Sequence, residues 1–134
     1  IELEKGLEWA DHSIGIVKNV TNTYTKAVIL NALGKKDEAS KLKEEVFTDA
    51  LEVDVNTLGY QFLGGGKIDD AIEVFKKNTE LYPDSWNVWD SLAEGYMNKG
   101  EKQLAIENYN KALNMAPEDQ HARINGALSQ LGVK

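Results

Sequence analysis

Cysteine is absent from the 134 residues, and proline occurs only as Pro83 and Pro117. Without thiols, disulfides and thiolate metal sites are excluded, and redox usage says nothing about compartment, which stays open between cytoplasmic and exported. Basic side chains are in the minority. Fifteen Lys and Arg against 22 Asp and Glu leave a formal charge of -7, which opposes binding to nucleic-acid phosphates and to an anionic membrane surface. No stretch approaches the roughly 18 apolar residues of a membrane span, and no signal-peptide succession follows Ile1.

Chemistry-bearing constellations are equally scarce. His12 and His121 lie far apart with no second histidine at ligand spacing, so no metal site is expected. Gly64-Gly65-Gly66-Lys67 invites a phosphate-loop reading, but Gln61 stands where the first glycine belongs and Ile68 where Ser or Thr would hold magnesium. It reads as a helix connection. Asp69-Asp70 and Glu44-Glu45 sit near helical lysines and read as solvated faces. Asn19-Val20-Thr21 matches the glycan acceptor triplet, a pattern too short to carry weight. No strand pattern exists to carry a Ser-His-acid elbow. The expectation is no enzyme and no cofactor.

What the chain does have is a period. Leu58, Gly59, Phe62, Gly66, Ala71, Phe75 and Pro83 recur 34 residues later as Leu92, Ala93, Tyr96, Gly100, Ala105, Tyr109 and Pro117. A fixed repeat of this length implies a stack of one supersecondary unit, because a single copy cannot bury its own apolar face. Trp89, Leu92 and Tyr96 are spaced three and four apart, the stripe of an amphipathic helix. Ala93 and Ala105 are small where helices approach closely. Gly100 can take the left-handed conformation that closes a helix, Pro117 stops the second helix, and Asp84 or Ser85 is placed to cap the first.

An earlier copy is degenerate. Gly34 to Ala39 echoes Gly66 to Ala71 at an offset of 32. Asn78 stands where the next copy has Ala112 and must find a partner or face solvent. Residues 1–18 read as a half repeat, 19–51 as the degenerate repeat, 52–85 and 86–118 as full repeats, and 119–132 as an amphipathic capping helix. Gly6-Leu7-Glu8 aligns with Ala105-Ile106-Glu107, so the chain is expected to begin inside a repeat and to be a piece of something longer.

Val55 or Trp89, Leu58 or Leu92, a small residue at 59 or 93, an aromatic at 62 or 96, then Gly, Ala, aromatic and Pro resemble the tetratricopeptide repeat. The resemblance implies an all-α fold, a right-handed α-α superhelix of helix-turn-helix units with a C-terminal capping helix. It also implies a groove lined by the first helix of each unit. Positions resembling groove residues are Asn87, Asp90, Glu94, Met97 and Asn98 in the last unit, Asn56, Tyr60 and Leu63 in the middle one, and Tyr24, Val28 and Asn31 in the degenerate one. That surface is apolar to acidic. It suits a protein or peptide segment with an apolar anchor and a Lys or Arg, with Tyr60 the expected hot spot. The basic clamp by which some members grip a chaperone's terminal carboxylate is missing, since Asp90 and Glu94 would repel that group.

The sequence therefore points to a non-catalytic interaction scaffold, a monomer or weak dimer, binding no nucleic acid and no membrane. The alternative is an accessory or oligomerising helical segment of a larger bacterial enzyme or exported protein. Its expected mark is a continuous apolar patch of Leu3, Leu7, Trp9, Ala10 and Ile14.

Overall fold

A computed structural model describes residues 2–16 and 18–134. Among these, eight α-helices and no strands are found. The chain divides into two compact units, Ile1–Asp54 and Val55–Lys134.

The first unit holds α1 (Glu2–Ile16), α2 (Val20–Ala32) and α3 (Lys36–Phe47). Its helix α2 starts on a capping box. The Asn19 side chain accepts from the Asn22 backbone N–H at 2.9 Å, and the Asn22 side chain accepts from the Asn19 N–H at 3.0 Å. Two otherwise orphaned donors at the helix start are thereby satisfied. Asn19, read from sequence as part of a glycan triplet, is thus a helix cap. Asn22 also donates through Nδ2 to Ser13 Oγ at 2.9 Å, tying α2 to α1, and Lys26 pairs with Asp11 at 2.6 Å along the same seam. Tyr24 and Phe47 meet edge to face at 5.7 Å between centroids in the core joining α2 to α3.

The expected apolar patch on α1 is broken. Ala10 is fully buried and Leu7 and Ile14 are half-buried, leaving Leu3 and Trp9 exposed. The 3.6-residue period puts Leu7, Ala10 and Ile14 on the face turned towards α2 and Trp9 away from it.

The second unit takes in most of α4 (Glu52–Gly64), then α5 (Ile68–Leu81), α6 (Trp86–Lys99), α7 (Lys102–Met115) and α8 (Glu118–Gln130). The expected capping helix 119–132 corresponds to α8, with Pro117 at its N-cap. Ser85 is the N-cap of α6, but its side chain makes no capping bond. Asn78 is buried, and its carbonyl accepts the N–H of Tyr82 at the end of α5.

One turn recurs across both units. Gly34, Gly66 and Gly100 have φ of 84°, 78° and 87°, and each is followed by a residue whose N–H reaches back five positions, Lys35 to Leu30, Lys67 to Phe62 and Glu101 to Tyr96. This left-handed closure satisfies the last carbonyls of the helix and reverses the chain. Of the three consecutive glycines only Gly66 takes the positive φ.

The core of the second unit centres on Phe75, which is fully buried. A Cβ at Gly59 of α4 would fall within 2.9 Å of three atoms of its ring, and one at Gly95 of α6 would lie 3.3 Å from Cδ2. The ring therefore lies against bare backbone on α4 and α6. Leu92, Ala93, Ala105, Tyr109, Ala112, Ile124 and Leu128 continue the core through α7 to α8. Trp89, half-buried, donates Nε1–H to the Pro83 carbonyl at 2.8 Å and anchors the α5–α6 turn.

Three mutational outcomes follow in urea denaturation. Leu92→Ala should cost about 2–5 kcal/mol, as buried Leu truncations do. Gly59→Ala should cost about 1–3 kcal/mol by overpacking against Phe75, whereas Gly126→Ala, on an exposed stretch of α8 with open space at its Cβ, should gain about 0.5–1 kcal/mol. Equal shifts for the two glycines would refute the close approach at Phe75.

Candidate functional site

The second unit brings side chains of four of its helices together. Tyr60 on α4 packs edge to face on Phe75 at 5.1 Å between centroids, so the core residue fixes where its phenol points. That phenol donates to Glu94 Oε2 on α6 at 2.6 Å. One turn earlier on each helix, Ser91 Oγ donates to Asn56 Oδ1 at 2.6 Å. Asp90 lies beside these contacts, 6% exposed, and its Oδ2 meets Arg123 Nη2 of α8 at 3.0 Å. The Arg123 guanidinium also lies 6.0 Å from the centre of the Trp86 ring.

Electrostatics follow from burial and crowding of like charge. Asp90 is held above the ordinary carboxylate range because burial disfavours its charge, an effect Arg123 partly offsets. Burial also raises the Tyr60 phenol, helped by its bond to Glu94. Tyr109 is pushed up to about 12 by burial, with the Asp90 and Glu94 charges adding to it. Both phenols therefore stay protonated donors at neutral pH. The face carries two carboxylates, one half-buried and bonded, the other buried and paired with one arginine.

Of the candidates named from sequence, Asn56, Tyr60, Asp90 and Glu94 stand in this network. Leu63, Asn87 and Met97 are half-buried, and Met97 Sδ lies 4.0 Å from the Tyr109 hydroxyl. Asn98 is exposed and donates to the Glu94 carbonyl of its own helix. In the first unit Val28 is half-buried and Asn31 exposed. Tyr24 is corrected: at 1% exposure it is a core residue, because the aromatic edge of Phe47 covers it.

Sequence reasoning missed Ser91, Trp86 and Arg123. A signal was available in the period itself, since the partners Tyr60 and Glu94 are 34 residues apart and Asn56 and Ser91 are 35 apart. Arg123 follows Asp90 at nearly the same separation. Among the described residues no group of three or more His, Cys, Asp or Glu could hold a metal ion, and no helix is long and apolar enough to cross a membrane.

Comparison with known proteins agrees with this architecture. Residues 87–119 match the tetratricopeptide repeat model. The peroxisomal targeting signal receptor of Candida glabrata is 28% identical over 76 residues, 57% of this chain and 13% of the receptor. That of Candida albicans is 28% identical over 85 residues, covering 63% and 14%. The chain thus spans only a small fraction of these relatives' length. Among solved structures, MamA AMB-1 is 23% identical with a TM-score of 0.52, covering 96% of this chain and 80% of that one. MamA 41-end from Desulfovibrio magneticus RS-1 is 17% identical with a TM-score of 0.50, covering 96% and 81%. At such identity the likeness shows the fold, which is of the all-α, α-α superhelix class.

The raised titration of Asp90 has a definite sign. Folding favours its protonated form, so wild-type stability should fall as pH rises from the ordinary carboxylate range through the raised folded value. Asp90→Asn carries no such charge. Its stability relative to wild type, measured by urea melts between about pH 4 and about pH 7, should increase with pH, and a constant difference would contradict the burial cost assigned to Asp90.

Proposed function

Because the chain belongs to the tetratricopeptide-repeat family, we propose that it is a non-catalytic scaffold that holds a peptide or protein segment against the first-helix face of its second unit. The observation that carries this is the Tyr60–Glu94 bond beside buried Asp90. It fixes an aromatic edge and two carboxylates before any ligand arrives, which lowers the ordering cost of binding. Half-buried Leu63 and Met97 offer apolar contact nearby in the chain. A segment with an apolar anchor and a Lys or Arg is the matching chemistry, and the net charge of -7 supports the same sign of ligand.

The relatives named as targeting signal receptors support recognition of a short peptide. The peroxisomal role itself is not carried over, because the chain matches only 13% and 14% of those receptors. A second reading, an accessory helical segment packing on another domain, is supported by Trp9 and Ile16, 58% and 70% exposed and seven residues apart on α1.

The test is selection from a random peptide library displayed on phage, comparing wild type with a Tyr60→Ala, Glu94→Lys double variant whose helicity is checked by circular dichroism. Wild type should enrich sequences combining Leu, Ile or Phe with Lys or Arg, and the variant should lose that enrichment. Identical selections from both proteins would remove this face from the binding role.

A further inference from the structure

The acidic face already contains a cation, and that cation is badly seated. Arg123 meets Asp90 through one nitrogen, Nη2, at 3.0 Å, while its Nε donates to Gln120 Oε1 on its own helix at 3.1 Å. Its fork is therefore divided between two acceptors. Asp90 Oδ1 is left buried and without a hydrogen-bond partner among the described residues. A carboxylate of this kind normally takes a guanidinium through both oxygens, and an unmet buried oxygen is unfavourable. Arg123 itself is half exposed, with 51% of its side chain open to solvent against 8% for Asp90. The carboxylate is fixed by the core and the arginine is the movable partner.

Resting on the reading of this face as a peptide site, we propose that Arg123 is a built-in competitor that occupies an arginine subsite, and that a ligand's arginine enters by displacing it. The incoming guanidinium, free of Gln120, can bond both oxygens of Asp90 and lie near Glu94. Trp86, now beside Arg123, offers an aromatic face to whichever guanidinium is bound. Arginine is preferred to lysine because the planar fork supplies two parallel donors and an ammonium acts as a point charge. The free protein thus discriminates against weakly basic segments, since apparent affinity is reduced by the fraction of molecules in which Arg123 holds the subsite.

The test uses the chain with two capped five-residue peptides, leucine at both ends, alanine inside, and arginine or lysine at the centre. Arg123→Gln should raise affinity for the arginine peptide by roughly fivefold or more, within the usual range of coupling between competing equilibria, and raise it less for the lysine peptide. Lys99→Gln removes the same charge from the exposed end of α6, where Lys99 pairs with Asp69, and should change affinity by less than about twofold, as expected for a screened surface charge. Adding Asp90→Asn to Arg123→Gln should cancel the gain. A wild-type measurement guards against loosening of α8 by the substitution: the Arg123 Nε–H signal in nitrogen-15 NMR should move on saturation with the arginine peptide. Equal gains from Arg123→Gln and Lys99→Gln, a gain that survives Asp90→Asn, or an unmoved Arg123 signal would each overturn the competitor. If wild type binds the arginine peptide in a Glu94-dependent way without any Arg123→Gln gain, only the competitor fails. If neither wild type nor Arg123→Gln binds it, the peptide-site reading falls with it.

Discussion

The Phe75 ring, held against the bare backbones of Gly59 and Gly95, sets the spacing on which the second unit depends. A helix pair carrying ordinary side chains at the contact packs with axes about 8–10 Å apart. Glycine on both flanking helices lets one large ring fill the gap without a void. Interiors are packed as densely as organic crystals, so a displaced ring would move the helices themselves. Tyr60 takes its orientation from that ring, and its bond to Glu94 requires α4 and α6 at this separation. Core packing and site geometry are here one constraint.

The polar contacts between first helices have a different character from the core. Asn56–Ser91, Tyr60–Glu94 and Asp90–Arg123 run along one face, each joining a first helix to the next. Such bonds contribute about 0.5–1.5 kcal/mol net between neutral groups and about 1.5–3 kcal/mol where one partner is charged, since water offers competing partners in the unfolded chain. Their role is to fix direction. A hydroxyl or carboxylate held by a neighbour presents its remaining lone pairs at a known position, whereas the same group on a free surface helix samples several rotamers. The face is therefore ordered by weak bonds laid over a strongly packed support.

Repetition explains what was legible in the sequence and what was not. Periodicity reports positions that every copy must fill alike, so the apolar stripes, the small residues at 59 and 93 and the closing glycine at 100 could be read directly. Recognition chemistry sits where copies differ. Asp90 and Glu94 were named as candidates because they lie on the expected helix face, but Arg123 stands at the register of Trp89 and looked like the solvated side of an amphipathic helix. Tyr24 erred the opposite way. The same register is half-buried as Asn56 and buried as Asp90, and in the degenerate copy it is core, where Phe47 packs on the Tyr24 ring. The cap at Asn19 was not read from the sequence because the capping box here uses asparagine at both ends, in place of the usual Ser or Thr with Glu or Gln.

Asp90 is the residue for which stability gives no sufficient reason. A buried ion pair is often no better than a well-packed apolar replacement, because desolvation offsets the attraction. Here the pair is also incomplete, with one oxygen unmet and the arginine half in solvent. Sequences that fold well satisfy most local rules, and the exceptions concentrate where a site is asked to do something besides fold. Phe75, Ile124 and Tyr109 follow the rules of a helical stack; Asp90 breaks them while sitting near Glu94 and Tyr109 on the face that carries the cross-helix hydrogen bonds. An unfavourable group held rigidly in the free protein is one whose environment a ligand can improve, and binding free energy is gained where the unbound state is left unsatisfied.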